Sequence, residues 1–286
     1  MRDAINRFSD ALDTTPVRAW SLIVSIYGDC VMPRGGELWL GTLTELLAAL
    51  DVEPGSTRTA MSRLARDGFL ERHRVGRTSH YRLSGEALAL SRRAERLIYR
   101  TTAPTPPPGW EMVVTLPPGA ADRKQLARAG YAALVPGVYA RPHADDAPPP
   151  PDAVIRLTAT GDDAALATAL YPLADIAARY HGFITATAQI TPYAEDADPL
   201  QALALRIMLV HGFRRIVLRD PHLSRDARPA DWPADAAYRA FATLYRRLEP
   251  LSDSWLDDNA QNAAGPLPKP DDARRFCDPT PATVDM

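Results

Sequence analysis

Residues 54–83 read PGSTRTAMSRLARDGFLERHRVGRTSHYRL, and they carry the clearest structural pattern in the first third of the chain. The proline that opens it suits the first turn of a helix, and Gly68 stands where a left-handed residue ends one. Ala60, Met61 and Leu64 recur at helical spacing and predict one apolar face. The sequence therefore predicts an amphipathic helix that ends just before Gly68.

The other side of this helix carries arginines and hydroxyls with almost no acidic residue. Two strand-like runs, 69–74 and 79–83, follow it around a turn, which predicts a hairpin with arginine at its tip. Guanidinium groups recognise phosphates and guanine edges, so we expect this surface to bind double-stranded DNA. The residues expected to read bases are Arg58, Thr59, Ser62 and Arg63. The residues expected to hold phosphates are Arg66, Arg74, Arg77 and Arg82.

Arginines on a helix and hairpin can also arise from two causes unrelated to DNA. Any one of them is ordinary on a solvated helix face, and a GC-rich genome favours arginine over lysine throughout a chain. Their joint placement favours DNA binding, because residues 54–100 contain eleven arginines against four carboxylates, a net charge of +7 in a chain of net charge −2.

Two further helices are predicted before this stretch. The first covers 16–27 and ends at Gly28, and the second opens with a capping-box pattern at Thr42 to Glu45. A short apolar run at 38–40 predicts a small strand between them. Helix, helix, basic helix and basic hairpin is the order of a winged helix-turn-helix, which places its third helix in the major groove.

Composition and proline-rich runs set the remaining expectations. A chain of 286 residues without an apolar run of about 18 residues or a secretory signal is expected to be cytoplasmic and not to span a membrane. The expected fold class is α+β, with a small α+β sandwich in the middle of the chain. The predicted division is 1–100 for the winged helix, 101–109 for a linker, 110–194 for the α+β domain with an associated helix, 195–258 for a helical domain and 259–286 for a mobile tail.

No catalytic constellation, cofactor motif or metal-ligand spacing stands out in the sequence. The first strand of the central domain offers Glu111 as its one carboxylate, whereas a metal-dependent nuclease needs several that converge. An enzyme that processes nucleic acid is therefore the weaker alternative. A protein-interaction scaffold is a third possibility, and it predicts no binding to DNA at all.

Several segments resemble the PaaX family, the phenylacetic-acid-degradation repressors. These segments are RAWSLIVSIYGDCVMPRGGELWLGTLTELLAAL at 18–50, STRTAMSRLARDGFLERHRVGRTSHYRLS at 56–84, AGYAALVPGVYARP at 129–142, LRIMLVHGFRRIVLRDPHL at 205–223 and PADWP at 229–233. The resemblance implies a homodimeric repressor of an aromatic catabolic pathway, with a ferredoxin-like central domain. It also implies release from a palindromic operator by an acyl-coenzyme A effector, usually phenylacetyl-coenzyme A. The chain departs from the family pattern at Gly212-Phe213 and over 142–159.

A basic cluster near the end of the chain is the predicted effector site, because arginines one and four residues apart on a helix can clamp phosphates. Its members are His211, Arg214, Arg215, Arg219 and Trp232. The same arginines could instead pair with Asp220 or Asp231 and fix the helix end. A histidine on a mostly apolar helix is also commonly a structural residue.

Overall fold

The computed structural model describes residues 2–12, 17–116, 123–144, 147–151, 154–271 and 275–276, and it divides the chain into two compact units. Unit 1 comprises Met1–Thr102, Tyr180–Leu218 and Ala236–Met286, and unit 2 comprises Ala103–Arg179 and Arg219–Asp235. The sequence predicts consecutive domains instead. The division differs because the long carboxy-terminal helices bury their apolar residues against the amino-terminal helices, a pairing that no local pattern reveals.

Unit 1 contains both helices and strands, which agrees with the expected α+β class. They are α1 (Arg2–Ala11), α2 (Ala19–Ile26), β1 (Glu37–Trp39), α3 (Leu40–Ala48), α4 (Pro54–Arg66), β2 (Leu70–Val75), β3 (Thr78–Leu83), α5 (Gly85–Ile98), part of α8 (Leu173–Ile190), α9 (Pro199–Val217), most of α10 (Ala234–Asn259), β8 (Gln261–Asn262) and β9 (Gly265–Pro266). The strands β1, β3 and β2 form an antiparallel sheet in that order.

Two expected helix boundaries in this part are wrong. Gly28 does not end the first helix, because α2 passes into a π-helical turn, Tyr27–Val31, and the chain leaves the helix at Gly35 with φ +92°. The next helix begins at Leu40 rather than at the expected capping box, since β1 runs directly into it through the extended residue Trp39. Thr42 is then a buried residue inside α3.

Helix α9 forms the centre of unit 1. The Asp198 carboxylate accepts a hydrogen bond from the Gln201 backbone, and the Gln201 side chain accepts one from the Asp198 backbone, which is the expected start of this helix. Every residue from Ala202 to Phe213 is buried. The helix contacts α1, α2 and α5, so the amino-terminal part of unit 1 packs directly on it.

Unit 2 contains a four-stranded antiparallel sheet. Its elements are β4 (Trp110–Thr115), α6 (Arg123–Arg128), β5 (Ala132–Val135), β6 (Val138–Pro142), β7 (Val154–Ala159), α7 (Asp163–Leu170) and the first part of α8. The strand order is β5-β6-β4-β7, which leaves β7 at one edge. Val113, Leu126 and Tyr139 share the core on one face of the sheet. Trp110 packs on the other face and donates to the Asp163 carboxylate at 2.9 Å.

Among the described residues, no helix is long and apolar enough to cross a bilayer.

The carboxy-terminal segment differs from the sequence prediction of a mobile tail from residue 259. The structure places there the β8–β9 hairpin, a buried Leu267 and, after undescribed residues 272–274, the buried ring of Phe276.

Candidate nucleic-acid interface and ligand cavities

Helix α4 presents its basic side to solvent. Thr57, Ala60, Met61 and Leu64 are buried on the opposite side, where α4 contacts α2, α3 and β2. The predicted base-reading and phosphate-holding residues of this helix are all exposed: Arg58, Thr59, Ser62, Arg63 and Arg66. The local pattern thus divides the helix as expected, and Gly68, at φ +74°, turns the chain into β2.

The acidic partners of these arginines are few and exposed. Asp67 lies 3.4 Å from the Nε of both Arg63 and Arg66, whose side chains are 59% and 75% exposed. Exposed pairs of this kind contribute about 0–1 kcal/mol, so both guanidinium groups can exchange Asp67 for a phosphate or a base. Arg58 has no hydrogen-bond or ion-pair partner among the described residues. Thr59 is less free, because its hydroxyl donates to the Gly55 carbonyl at 3.0 Å.

The hairpin β2–β3 carries the second group of arginines, on two different faces. Alternation along β2 puts Arg72 and Arg74 on one face, opposite Tyr81 and Ser79 of β3. Arg82 is opposite Glu71 and therefore lies on the other face, where its guanidinium contacts that carboxylate at 2.8 Å. Arg82 is thus separated from the predicted phosphate-holding set.

Arg72 lies on the same face as Arg74 but is not among the predicted phosphate-holding residues. Its Nη2 donates to the Ser79 hydroxyl at 2.9 Å, and its guanidinium lies 6.0 Å from the Tyr81 ring centroid. Arg77 lies exposed in the tight turn between the strands. The alternation of residues 70–75 is the sequence signal that puts Arg72 on the same face as Arg74.

The predicted effector residues fall into two groups. His211, Arg214 and Arg215 lie in unit 1, whereas Arg219 and Trp232 belong to unit 2. His211 is 1% exposed, and its Nδ1 lies 3.3 Å from the Ser25 hydroxyl. Burial, together with the charges of Arg214 and Arg215, lowers the pKa of His211 to about 3. The imidazole is therefore neutral near pH 7 and supplies no charge to a phosphate.

Arg214 lines a small cavity in unit 1, called cavity A. The volume of cavity A is about 160 Å³. Its apolar lining residues include Val24, Phe69, Leu90, Ile98 and Val210. The Arg214 guanidinium donates to the Ser21 carbonyl and hydroxyl at 3.2 and 3.1 Å, which fixes it beside this apolar space. An apolar cavity of about 150 Å³ in another protein holds benzene, so cavity A has the size of one aromatic ring.

A larger cavity in unit 1, called cavity B, has a volume of about 800 Å³. Asp29 and Glu95 line both cavities. Basic residues from five parts of the chain line cavity B: Arg34, Arg92, Arg206, Arg246, Lys269 and Arg275. Its carboxylates are Asp29, Glu95, Glu249, Asp253 and Asp271. Cavity B is thus highly charged, in contrast to cavity A.

Asp29, on the π-helical turn, is the most enclosed of these carboxylates. It accepts hydrogen bonds from Tyr99 at 2.6 Å, from Tyr245 at 2.9 Å and from the Arg206 Nε at 2.8 Å. Burial alone would raise the pKa of Asp29, but the charges of Arg206 and Arg275 hold it below its usual range. Asp29 is therefore ionised and joins α2, α5, α9 and α10.

Comparisons with known proteins place the chain in a family. A model of the PaaX-like protein family matches residues 18–87, and a model of the PaaX-like protein C-terminal domain matches residues 171–258. The chain is 32% identical over 288 aligned residues to the transcriptional repressor PaaX of Escherichia coli (strain K12), across 91% of this chain and 90% of the relative. The chain belongs to the PaaX family. The resemblance that the sequence motifs indicate is thereby confirmed.

The two PaaX matches include most of the candidate residues. The first contains all of α4 and the hairpin, and the second contains α9 and Trp232.

Glu111 lies outside both matches, in unit 2, where it accepts hydrogen bonds from Tyr131 at 2.6 Å and from Arg141 at 2.6 Å. Burial would raise the pKa of Glu111, but these hydrogen bonds outweigh it and lower that pKa. Within the described residues, no group of histidines, cysteines and carboxylates is arranged to hold a metal ion.

Proposed function

We propose that this PaaX-family chain is a transcriptional repressor that binds double-stranded operator DNA through a winged helix-turn-helix. The exposed arginine and hydroxyl side of α4, next to Arg72, Arg74 and Arg77 of the hairpin, carries this proposal. The order α2, α3, α4, β2, β3 supports the winged helix, with α4 as the recognition helix and the hairpin as the wing. The relative in Escherichia coli bears the name of a transcriptional repressor.

Selection of bound sequences from random DNA tests this function. We expect a palindromic site whose affinity falls steeply with salt, since phosphate contacts release counterions. Replacing Arg58 and Arg63 by alanine together should abolish the preference for that site. A protein-interaction scaffold would instead give no DNA complex, and a nuclease would degrade the DNA in the presence of a divalent metal ion.

We propose that the repressor acts as a homodimer, because a palindrome presents two half-sites. The edge strand β7 supports this, since it exposes Ile155 and Leu157 to solvent, at 50% and 49%, on one face of an unpaired edge. The strand order of unit 2, with all neighbours antiparallel, supports the ferredoxin-like arrangement. Light scattering of Leu157→Glu should show a monomer, while Thr158→Glu, on the other face of the same strand, should keep the dimer.

We propose that an acyl-coenzyme A effector such as phenylacetyl-coenzyme A releases the repressor from DNA of a phenylacetate-type catabolic pathway. Cavity A supports this, because it fits one aromatic ring and has the Arg214 guanidinium at its edge. Arg215 is proposed to hold phosphate, and His211 to position α9 beside Ser25. Arg219 and Trp232 of unit 2 remain predicted contacts to the effector.

Calorimetric titration with phenylacetyl-coenzyme A tests the effector. The wild-type chain should bind it, and Val24→Trp, which fills cavity A, should weaken binding. Arg219→Ala and Trp232→Ala test the contacts predicted in unit 2. Absence of heat with any acyl-coenzyme A would remove the effector and leave DNA binding intact.

A further inference from the structure

Two residues near the carboxy terminus, Arg275 and Phe276, line cavity B, although the residues on either side of them lie outside the described part of the chain. The Arg275 side chain is 11% exposed and the Phe276 residue 9% exposed. The proposed binding of operator DNA does not explain why these two residues are buried.

The Phe276 ring is held by an aromatic cage in unit 1, formed by Tyr99, which directly follows α5, and by two rings of α10. Its centroid lies 5.7 Å from that of Tyr99, 5.8 Å from that of Phe241 and 5.3 Å from that of Tyr245. Edge-to-face and tilted contacts at these distances favour a flat aromatic ring over an aliphatic group. The Arg246 guanidinium lies 5.0 Å from the Phe276 centroid and adds a cation–π contact.

Arg275 can leave without breaking the cluster around Asp29. Its guanidinium donates to the Asp29 carboxylate and carbonyl and to the Tyr245 hydroxyl. Asp29 keeps Arg206, Tyr99 and Tyr245 as partners when Arg275 is gone, so no buried carboxylate is left unpaired.

The backbone at Phe276 is strained in its bound position. Its φ is +64°, in the left-handed region that residues with a Cβ seldom adopt. This strain opposes the contacts of the ring and favours release of the segment. An internal segment held by contacts and opposed by strain is the kind of occupant that a ligand can replace.

The rim of the cavity offers charge for a ligand that replaces the segment. Arg92, Arg246 and Lys269 are exposed, and within the described residues none has a carboxylate at ion-pair distance. Glu95, Glu249 and Asp271 also line the cavity, and burial raises the pKa of Glu95 and Glu249. An aromatic cage beside exposed cations is suited to a base that carries phosphates.

We propose that Arg275 and Phe276 are an internal occupant of a nucleotide site in cavity B, and that the nucleotide part of the effector competes with them for the cage of Tyr99, Phe241 and Tyr245. This inference rests on the proposed acyl-coenzyme A effector. It assigns the aryl group to cavity A and the base with its phosphates to cavity B, which Asp29 and Glu95 also line.

Removing the occupant should strengthen nucleotide binding. If Phe276 fills the cage about nine-tenths of the time, Phe276→Ala lowers the apparent Kd about tenfold, because the empty site is no longer the minor state. Arg275→Ala gives a second variant that leaves the cage rings intact. Titrations with coenzyme A, which lacks the aryl group, and with phenylacetate, which lacks the nucleotide, separate the two cavities. Only the coenzyme A affinity should rise.

Two neighbouring arginines on α10 provide a matched control. In the Phe276→Ala background, where Arg246 no longer holds the occupant, Arg246→Ala removes a rim cation and should weaken coenzyme A binding severalfold. Arg247→Ala should leave it unchanged, because Arg247 pairs with Glu195 and does not line cavity B. Equal losses in both variants would overturn the assignment of the phosphates.

Labelling of Cys30, which lines cavity B and is 1% exposed, reports the occupant without any ligand. In a Cys277→Ser background, Phe276→Ala and Arg275→Ala should speed the reaction of Cys30 with a maleimide severalfold. Unchanged labelling together with unchanged coenzyme A affinity overturns the inference, even if the wild type binds phenylacetyl-coenzyme A. Lack of phenylacetyl-coenzyme A binding in every variant overturns the proposed effector as well.

Discussion

Arginine serves opposite purposes in two regions of unit 1. On α4 and the hairpin the guanidinium groups are exposed and have weak or no acidic partners, whereas around Asp29 they are buried and paired. Arg206 is 3% exposed and contacts both Asp29 and Asp253 at 2.8 Å. Arg63, with Asp67 at 3.4 Å, is 59% exposed. The carboxylate that faces each arginine, and the water that reaches it, decide whether the group stabilises the fold or is available to the proposed DNA ligand.

The largest expected change in the free energy of unfolding comes from removing the carboxylate that faces the arginines in each region. Asp29→Ala leaves Arg206 buried without its main counter-charge and should lower the free energy of unfolding by about 3–5 kcal/mol. Asp67→Ala should change it by less than about 1 kcal/mol, because that pair is exposed and lies at a helix carboxy terminus, where an anion is unfavourable. Urea unfolding of both variants measures the difference. Equal effects would contradict the comparison, and Asp29→Asn serves if the alanine variant does not fold.

Acid should destabilise the buried region through His211. Its pKa is about 3 in the folded chain against 6.5 for the free side chain, so the unfolded chain binds a proton that the folded chain does not. Stability is therefore complete above pH 6.5 and falls as the pH decreases toward 3, by at most about 1.4 kcal/mol per pH unit. Unfolding measured at pH 7, 6 and 5 should show a smaller loss for His211→Gln than for the wild type. Parallel curves would mean that His211 does not carry the effect.

The exposed region is proposed to divide into residues that read bases and residues that hold phosphate. Arg63→Ala should cost about 1–3 kcal/mol on the selected operator and relax the preference at one base position, because it removes a contact in the groove. Arg77→Ala should weaken all sequences alike and reduce the salt slope by about one. Titrations at several salt concentrations on operator and scrambled DNA distinguish them. Identical behaviour of the two variants would contradict this division.

The smallest expected effect concerns the acidic partner on the surface. Asp67→Ala frees Arg63 and Arg66 from their shared carboxylate, so affinity for operator and scrambled DNA should rise together, by about 1 kcal/mol or less. The same titrations check this. Glu71→Ala is the matched control, since it frees only Arg82, on the other face of the hairpin, and should leave DNA affinity unchanged.

Local patterns in the sequence predict the exposed region well. The apolar spacing on α4, the left-handed Gly68 and the turn around Arg77 depend on neighbours within a few residues, so a helix and a hairpin follow from them directly. The face of each hairpin arginine is also within reach of the sequence, because strand alternation separates Arg82 from Arg74. The start of α3 cannot be predicted in this way, because β1 runs directly into α3 without a side-chain cap.

The buried region is beyond such patterns. Asp29 and Arg206 are 177 residues apart, and Asp29 and Arg275 are 246 apart. No spacing rule connects them, and a lone aspartate after an apolar helix resembles any surface residue. The sequence therefore predicts a mobile tail and a separate helical domain, whereas the structure assigns most of both segments to the same compact unit as residues 1–102.

The contact between α9 and α2 limits how the protein can be truncated. Leu22 and Ile23, 1% and 0% exposed, belong to the helix that contacts α9, which lies far along the chain. A protein fragment that ends at Thr102 would expose this apolar surface to solvent and should aggregate. Grafting the first hundred residues onto a foreign sensor is thus a poor route to synthetic regulators, whereas transplanting side chains of α4 alone keeps the shared interior intact.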